Sequence, residues 1–108
     1  MPIEVDAFYS MLGIAKRAGV LTLGTDAVLA AVAAGKAGLV LLDAGASENT
    51  KKRLRDACAH YGAALAETAD DRLGFAIGKP GRMCAAVKKG TLCDKLKALS
   101  ESGSSGRM

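Results

Sequence analysis

Residues 38–43 restrict most strongly how this chain can fold. They contain four consecutive aliphatic residues, Leu39, Val40, Leu41 and Leu42, with no polar interruption. A strand with one solvated face alternates apolar and polar side chains, whereas a continuously apolar strand is typical of a sheet interior that is covered on both faces. We therefore predict a central strand here, with other elements packed against both of its faces.

Helical and strand patterns alternate on both sides of this segment, and this alternation favours an α/β/α sandwich. The helices are expected at residues 4–18, from Gly24 to Gly35, from Ser47 to Gly62, from Thr68 to Ile77 and from Thr91 to Leu99. The other strands are expected at residues 20–23, 63–66 and 83–87. With only four strands, the sheet is small.

Two helices carry specific predictions of burial. In the third helix, the spacing predicts an inward stripe of Leu54, Ala57, Cys58 and Tyr61. In the short fourth helix, it predicts burial of Leu73, of either Phe75 or Ala76, and of Ile77. Thr68 and Asp71 have the three-residue spacing of a capping box and are expected to begin this fourth helix.

The chain length of 108 residues suits one domain with one modest core. The apolar periodicity ends near Leu99, so we expect a single domain over residues 1–100. Residues 101–108 are rich in Ser and Gly and poor in apolar groups, which predicts a disordered polar tail.

Several function classes find little support in the sequence. The cysteines, Cys58, Cys84 and Cys93, form no C-x-x-C pair, and only His60 lies near one of them, so neither a metal site nor a disulfide is expected. No Ser or Cys pairs with His60 in sequence to form a set of nucleophile, base and orienting group, and Asp70-Asp71 is best explained as negative charge near a helix start. We therefore predict a protein that is not an enzyme, with no catalytic residues and no cofactor.

Charge is distributed unevenly along the chain. Residues 1–50 carry three basic and five acidic side chains, whereas residues 51–108 carry twelve basic and six acidic ones. A basic half favours an anionic partner, with nucleic acid first. No apolar run is long enough to span a bilayer, and the start lacks the basic region of a signal peptide. A cytoplasmic protein without a membrane partner is expected.

Residues 21–28 form the junction most suited to binding. An apolar stretch runs into Gly24, followed by Thr25, Asp26 and an alanine-rich helix. Gly24 allows a tight turn, and Thr25 or Asp26 can cap the helix. The free N–H groups at such a helix start suit a phosphate or a base edge. An ordinary capped junction between a strand and a helix is the alternative.

Five blocks of sequence together resemble a known family: residues 12–19 (LGIAKRAG), 24–28 (GTDAV), 39–44 (LVLLDA), 46–52 (ASENTKK) and 73–79 (LGFAIGK). With their order and spacing, the chain resembles the bacterial YlxQ-type branch of the ribosomal protein L-seven-Ae/L-thirty-e/Gadd superfamily over about residues 5–99. The resemblance implies an L-thirty-e-like, three-layer sandwich around a four-stranded mixed sheet. It also implies RNA binding, especially to kink-turns, within ribosomal or ribonucleoprotein particles.

The resemblance further implies where RNA is bound. Kink-turn binders meet tandem G·A pairs with a G-x-N-E segment and a Lys three residues after the Glu. Here Gly24 is retained, but Asp26, Ala27 and Ala30 stand at the Asn, Glu and Lys positions. A carboxylate cannot donate to guanine O6 or N7, and alanine reads no base edge by hydrogen bonding. Altered base readout is therefore expected.

A second family contact is the loop after L-G-x-A-x-G, which packs on a flipped-out base. Gly74, Ala76, Ile77, Gly78 and Arg82 keep its pattern. Added cations complete the predicted RNA-binding set, which comprises Lys16, Arg17, Gly24, Thr25, Asp26, Gly74, Ile77, Gly78, Lys79 and Arg82. The basic cluster at residues 51–55 of the third helix is expected to face elsewhere.

The expected partner is structured RNA, either ribosomal or kink-turn-like. We expect the protein to bind it as a monomer, and we expect no binding to DNA. The alternative is a protein–protein interaction module on the same fold with no direct RNA role. Salt separates the two hypotheses, because phosphate contacts weaken steeply as salt rises and an apolar protein interface does not.

Overall fold

The computed structural model describes residues 3–105, with side chains described as far as residue 101. Its helices are α1 (Asp6–Arg17), α2 (Thr25–Ala33), α3 (Glu48–Tyr61), α4 (Arg72–Ala76) and α5 (Thr91–Ser105). Its strands are β1 (Leu21–Leu23), β2 (Ala37–Asp43), β3 (Leu65–Thr68) and β4 (Cys84–Lys88).

The four strands form one mixed sheet in the order β1-β4-β2-β3. Strand β4 is antiparallel to both β1 and β2, and β2 is parallel to β3. Every residue of β2 is buried, which confirms the prediction of a central strand from its uninterrupted aliphatic run. The predicted four-stranded mixed sheet is likewise confirmed.

Successive side chains of β2 point to opposite faces of the sheet. Because the side chains on both faces are apolar, helices pack against both of them. Leu39 and Leu41 join a core with residues of α1, α4 and α5: Phe8, Leu12, Leu73 and Leu96. Val40 and Leu42 join a second core with residues of α2 and α3: Val28, Val32, Leu54 and Cys58. The two cores make the three layers of an α/β/α sandwich.

A buried carboxylate at the end of β2 fixes the segments that follow β2 and β3. Asp43 Oδ2 accepts hydrogen bonds from the backbone N–H of Gly45 at 2.9 Å and of Asp71 at 2.8 Å. Its Oδ1 accepts from the Thr68 hydroxyl at 2.9 Å and from Leu73 N–H at 3.2 Å. Four donors therefore replace the water that this side chain gives up on burial.

These bonds explain why the predicted capping box is wrong. Thr68 is the last residue of β3, and its hydroxyl donates to Asp43 instead of capping a helix. Helix α4 begins later, at Arg72, after Asp71 has adopted a left-handed backbone with φ of 66°.

Two predicted core residues lie at the surface. Tyr61, the last residue of α3, is 53% exposed and makes an edge contact with the His60 ring. Phe75 is 66% exposed, because Leu73 and Ile77 already turn the buried side of α4 inward. Its burial was one of two alternatives, and the other, Ala76, packs against the core. The remaining predicted stripe of α3 holds, with Leu54 and Cys58 buried and Ala57 partly so.

Helix α5 continues to Ser105, so the boundary expected at residue 101 falls inside a helix. Residues 106–108 of the expected tail lie outside the described residues, and the division into a domain and a disordered tail stays a prediction. Cys58, Cys84 and Cys93 are buried and free, and burial raises the pKa of each thiol.

Candidate nucleic-acid interface

The strand register brings two of the predicted binding segments together at one end of the sheet. Leu23, at the end of β1, pairs with Ala85 near the start of β4, and Leu42, near the end of β2, pairs with Cys84. The β1–α2 junction therefore lies beside the segment that enters β4, which carries Arg82.

The β1–α2 junction has the tight turn that its glycine predicts. Gly24 is the N-cap residue of α2 with φ of +98°, a conformation that L side chains rarely adopt. The expectation that Thr25 or Asp26 caps the helix is wrong, since no side chain makes a cap hydrogen bond there. Instead, the Thr25 hydroxyl lies 3.6 Å from Cys84 Sγ, and the Asp26 side chain is 96% exposed.

Arg82 covers this junction. A Cβ built on Gly24 would lie 3.8 Å from Arg82 Nη1, so the guanidinium sits directly beside the glycine. Together with Thr25, Thr50, Gly81 and neighbouring residues, they line a shallow groove of about 180 Å³, which we call the junction groove. Burial raises the pKa of the Cys84 thiol there, while the Thr25 hydrogen bond and the Arg82 charge oppose the rise.

A second concave surface lies between α1 and α4. It has a volume of about 250 Å³ and is lined by Gly13, Lys16, Arg17, Phe75, Ala76, Ile77 and Gly78. We call it the helix groove. The two helices approach closely at Gly13, where an added Cβ would lie 3.3 Å from the carbonyl oxygen of Ala76. This approach places the two α1 cations beside the exposed ring of Phe75.

Residues 74–82 connect the two grooves. A Cβ on Gly74 would lie 2.8 Å from the Lys79 carbonyl oxygen and 3.0 Å from Gly81 N, so only glycine lets the loop fold back onto α4. The Lys79 N–H donates to the Gly74 carbonyl at 2.8 Å, and the Arg82 N–H donates to the Lys79 carbonyl at 3.2 Å. The loop thus lines the helix groove with its first part and the junction groove with its last.

The predicted RNA-binding residues lie in or beside the two grooves and in the segment that connects them. Gly24, Thr25 and Arg82 line the junction groove, with Asp26 exposed in the first turn of α2. Lys16, Arg17, Ile77 and Gly78 line the helix groove. Gly74 lies in α4, where the connecting loop packs on it, and Lys79 belongs to that loop.

The prediction that the basic cluster of α3 faces elsewhere is wrong for Arg53. Its Nη2 lies 3.6 Å from Asp26 Oδ1, and Thr50, one helical turn earlier, lines the junction groove. Two other α3 cations make ion pairs within the helix, Lys51 with Glu48 and Lys52 with Asp56. Arg55 makes an ion pair with Glu67 of β3.

Three residues important to this geometry are absent from the predicted set: Asp43, Arg53 and Phe75. The role of Asp43 could have been predicted from the sequence, since a carboxylate that ends a buried strand must find hydrogen-bond donors. The sequence contains no such signal for Arg53 or Phe75, because their positions depend on how α3 packs beside α2 and how α4 packs on α1.

Neither a metal site nor a membrane segment emerges from the described part of the chain. Among residues 3–105, no group of three or more His, Cys, Asp or Glu is arranged to hold a metal ion. No helix in that part has the length and apolarity needed to cross a bilayer.

Fold and surface together define a small three-layer α/β/α protein with an open, cation-lined interface at one end of its sheet. The sequence profile of the Ribosomal protein L7Ae/L30e/S12e/Gadd45 family matches residues 6–97. The chain belongs to this family, and the predicted family assignment is confirmed.

Individual relatives agree with this assignment. The chain is 34% identical over 93 residues to "RNA-binding protein YlxQ" of Bacillus subtilis, covering 85% of this chain and 93% of that protein. It is 33% identical over 93 residues to "RNA-binding protein YlxQ" of Enterococcus faecium, covering 85% of this chain and 89% of that protein. The predicted YlxQ-like branch is confirmed, and relatives named as RNA-binding proteins agree with the prediction of a non-enzymatic protein.

Solved structures share the fold. A protein of unknown function from Bacillus halodurans has a TM-score of 0.82 and 38% identity, covering 87% of this chain and 96% of that one. The 15.5kD RNA binding protein of Giardia lamblia has a TM-score of 0.70 and 21% identity, covering 92% of this chain and 95% of that one. At 21% identity the likeness concerns the fold alone.

Proposed function

We propose that this protein binds structured RNA of the kink-turn kind, as a monomeric, cytoplasmic component of a ribonucleoprotein or ribosome-associated particle. The observation that carries the proposal is the gathering of cations around two adjoining grooves, one of which contains an exposed aromatic ring. These cations have no ion-pair partner among the residues that the structure describes. Membership in a family with relatives named RNA-binding proteins supports the same conclusion.

Phosphate contacts supply the first part of the binding. Lys16, Arg17, Lys79 and Arg82 form no ion pair among the described residues, so their charges are available to an anionic partner. The amides of the first turn of α2 add donors at the positive end of that helix. Such contacts position an RNA and fix its orientation without reading its sequence.

The helix groove supplies the second part. Phe75 offers an exposed ring face, and Ile77 offers an apolar neighbour, while Lys16 and Arg17 lie on the opposite wall. An unstacked base that enters this groove gains stacking while its phosphate remains near the cations. Bases leave the stack in bulges and internal loops, which favours structured RNA over a uniform duplex.

Base readout at the junction groove differs from that of kink-turn binders with the G-x-N-E segment. Asp26 offers only acceptors at the Asn position, and its pairing with Arg53 reduces the repulsion that its charge exerts on phosphates. Ala27 and Ala30 offer no hydrogen bond to a base. Shape and phosphate contacts therefore account for more of the affinity than base edges do.

The proposal is tested by measuring the affinity for a kink-turn RNA and for a straight duplex of equal length across a salt series. We expect preference for the kink-turn and a steep fall with salt. Lys16→Ala, Arg17→Ala, Lys79→Ala and Arg82→Ala should each weaken binding and reduce the salt slope by about one contact. Lys52→Ala is the matched control, because Lys52 is exposed and paired with Asp56.

Phe75→Ala tests the helix groove separately. Loss of stacking should weaken kink-turn binding by about 1–3 kcal/mol while leaving the salt slope unchanged. If the four variants that remove a cation from the grooves or their connecting loop bind as well as Lys52→Ala does, these grooves do not face RNA. Salt-independent capture of a protein partner through these grooves would favour the interaction-module alternative.

A further inference from the structure

We propose that the opposite end of the sheet carries a second RNA-binding surface, independent of the two grooves, so that one molecule contacts two RNA segments at once. We call it the distal surface and define it by Lys36, Lys88, Lys89, Lys97 and Tyr61. It goes beyond the proposed function, because neither groove contributes a residue to it.

The strand register places the distal surface away from the junction groove. Lys88, at the end of β4, pairs with Ala37 at the start of β2, whereas Cys84, which lines the junction groove, pairs with Leu42. The two points lie five residue steps apart along β2, which corresponds to about 17 Å at ~3.3 Å per residue. An RNA segment at one end therefore leaves the other end accessible.

The distal surface is a concave site with a backbone floor. Its groove has a volume of about 420 Å³, and among the residues that line it are Gly35, Gly38, Gly62, Lys89 and Lys97. A Cβ on Gly38 would lie 3.0 Å from Lys89 Cγ and 2.6 Å from Cys93 Sγ, so the missing side chain lets the β4–α5 turn close over the start of β2. The groove is thus built by close packing of the chain.

Three of the lysines of the distal surface have no ion-pair partner within the described part of the chain. Lys36, Lys88 and Lys89 are exposed and form no ion pair among the described residues, unlike Lys52 and Arg55 of α3. Asp94 is the one acidic side chain among the residues that line the groove. A surface with several free lysines around one carboxylate fits a phosphate backbone.

Tyr61 makes RNA the favoured anion. Its ring is 53% exposed at the rim of this groove and is oriented by an edge contact with His60, with ring centroids 4.6 Å apart. An aromatic ring beside lysines provides a stacking surface and a cationic track, the two elements by which proteins hold single-stranded nucleic acid. An acidic peptide uses the lysines but has no need of the ring.

The test titrates a 12-nucleotide oligouridine into the full chain and follows backbone amide resonances. We expect shifts at Gly35, Gly38, Gly62 and Gly90, recorded separately from shifts at the groove glycines Gly24 and Gly78. Shifts at the distal glycines support the distal surface whether or not the groove glycines respond. Failure of the groove glycines to respond to kink-turn RNA counts against the proposed function alone.

Variants give the second measurement. The triple change Lys36→Ala, Lys88→Ala and Lys89→Ala should abolish the distal shifts and reduce the salt slope for oligouridine by about 2, as expected for ~3 lost single-strand phosphate contacts. Tyr61→Ala should weaken binding at the distal glycines about fivefold or more. Lys51→Ala, Lys52→Ala and Arg55→Ala together form a control with the same change in net charge, and circular dichroism verifies that each variant is folded.

Two outcomes overturn the proposal. One is the absence of distal shifts up to the highest oligouridine concentration at which the protein stays in solution, whatever the groove glycines do. The other is an equal response to oligouridine and to polyglutamate that Tyr61→Ala leaves unchanged, which shows a general anion effect in place of an RNA site.

Discussion

At the scale of single residues, Asp43 links the fold to the interface. Its carboxylate holds the start of α4 through Asp71 N–H and Leu73 N–H, and α4 carries Phe75 into the helix groove. The same side chain fixes the end of β3 through Thr68 and the loop after β2 through Gly45. One buried side chain therefore determines where α4 and the connecting loop after it begin.

Asp43→Asn should destabilise the protein even though it keeps the shape of the side chain. The amide nitrogen of Asn is a donor, so at least one backbone N–H that now faces a carboxylate oxygen loses its acceptor in either orientation of the amide. We expect the free energy of unfolding to fall by about 3 kcal/mol, measured by urea denaturation. Asp70→Asn is the matched control, since Asp70 is a nearby exposed carboxylate. Equal stability of the two variants would show that the Asp43 bonds contribute little.

Asp26→Asn tests base readout at the same scale. Asn can donate to a guanine edge, and the change removes a negative charge near phosphates and frees Arg53 from its ion pair. We expect kink-turn affinity to improve by about 1–3 kcal/mol, with a further gain in discrimination when Ala27→Glu is added. The comparison with a straight duplex separates base readout from charge, because removal of charge alone improves both. Unchanged affinity in both variants would mean that this turn does not meet RNA in the family manner.

At the scale of elements, glycines set the distances between segments. Gly13 brings α1 to α4, and Gly74 brings the 78–82 loop to α4, so the helix groove depends on two positions without side chains. These glycines are needed for close packing, whereas Gly24 is needed for its positive φ.

Gly74→Ala should displace residues 77–82 of the connecting loop and leave the sheet intact. The new Cβ would meet backbone atoms of Lys79 and Gly81, which cannot turn away as a flexible side chain can. We expect chemical-shift changes over residues 77–82 and weaker kink-turn binding, with circular dichroism close to that of the parent. Gly62→Ala is the control, because Gly62 has φ of +72° but no atom within 4 Å of the added Cβ. Resonance changes confined to residue 74 would contradict the packing explanation.

At the scale of the whole molecule, burial favours the protonated form of three thiols and one phenol in the two cores. Burial raises the pKa of Cys58, Cys84 and Cys93, each above its ordinary value of 9.0, and raises the pKa of Tyr9 above 10.0. Below these ordinary values, these four groups are protonated in both the folded and the unfolded chain. Above them, the unfolded chain loses protons first, so unfolding becomes more favourable as pH rises.

Thermal stability should therefore be insensitive to these groups between about pH 6 and 8 and should fall above about pH 9. Melting followed by circular dichroism across this range checks the sign. A thiol reagent at pH 8 should react with the three cysteines at the rate of unfolding, and a metal chelator or a reductant should leave the melt unchanged. Rapid thiol reaction in the folded protein, or a melt shifted by chelator, would contradict the buried, metal-free assignment of these cysteines.

The sequence by itself determined the sandwich, because the aliphatic run of β2 can be buried only between two layers and the alternating periodicities supply them. It also predicted the tight turn at Gly24, since few other residues tolerate that backbone. Tertiary structure alone decided that Phe75 is exposed, that Arg53 reaches Asp26 and that Thr68 bonds to Asp43 instead of capping α4. Local patterns describe one element at a time, whereas these contacts join residues distant in sequence and depend on how the elements pack.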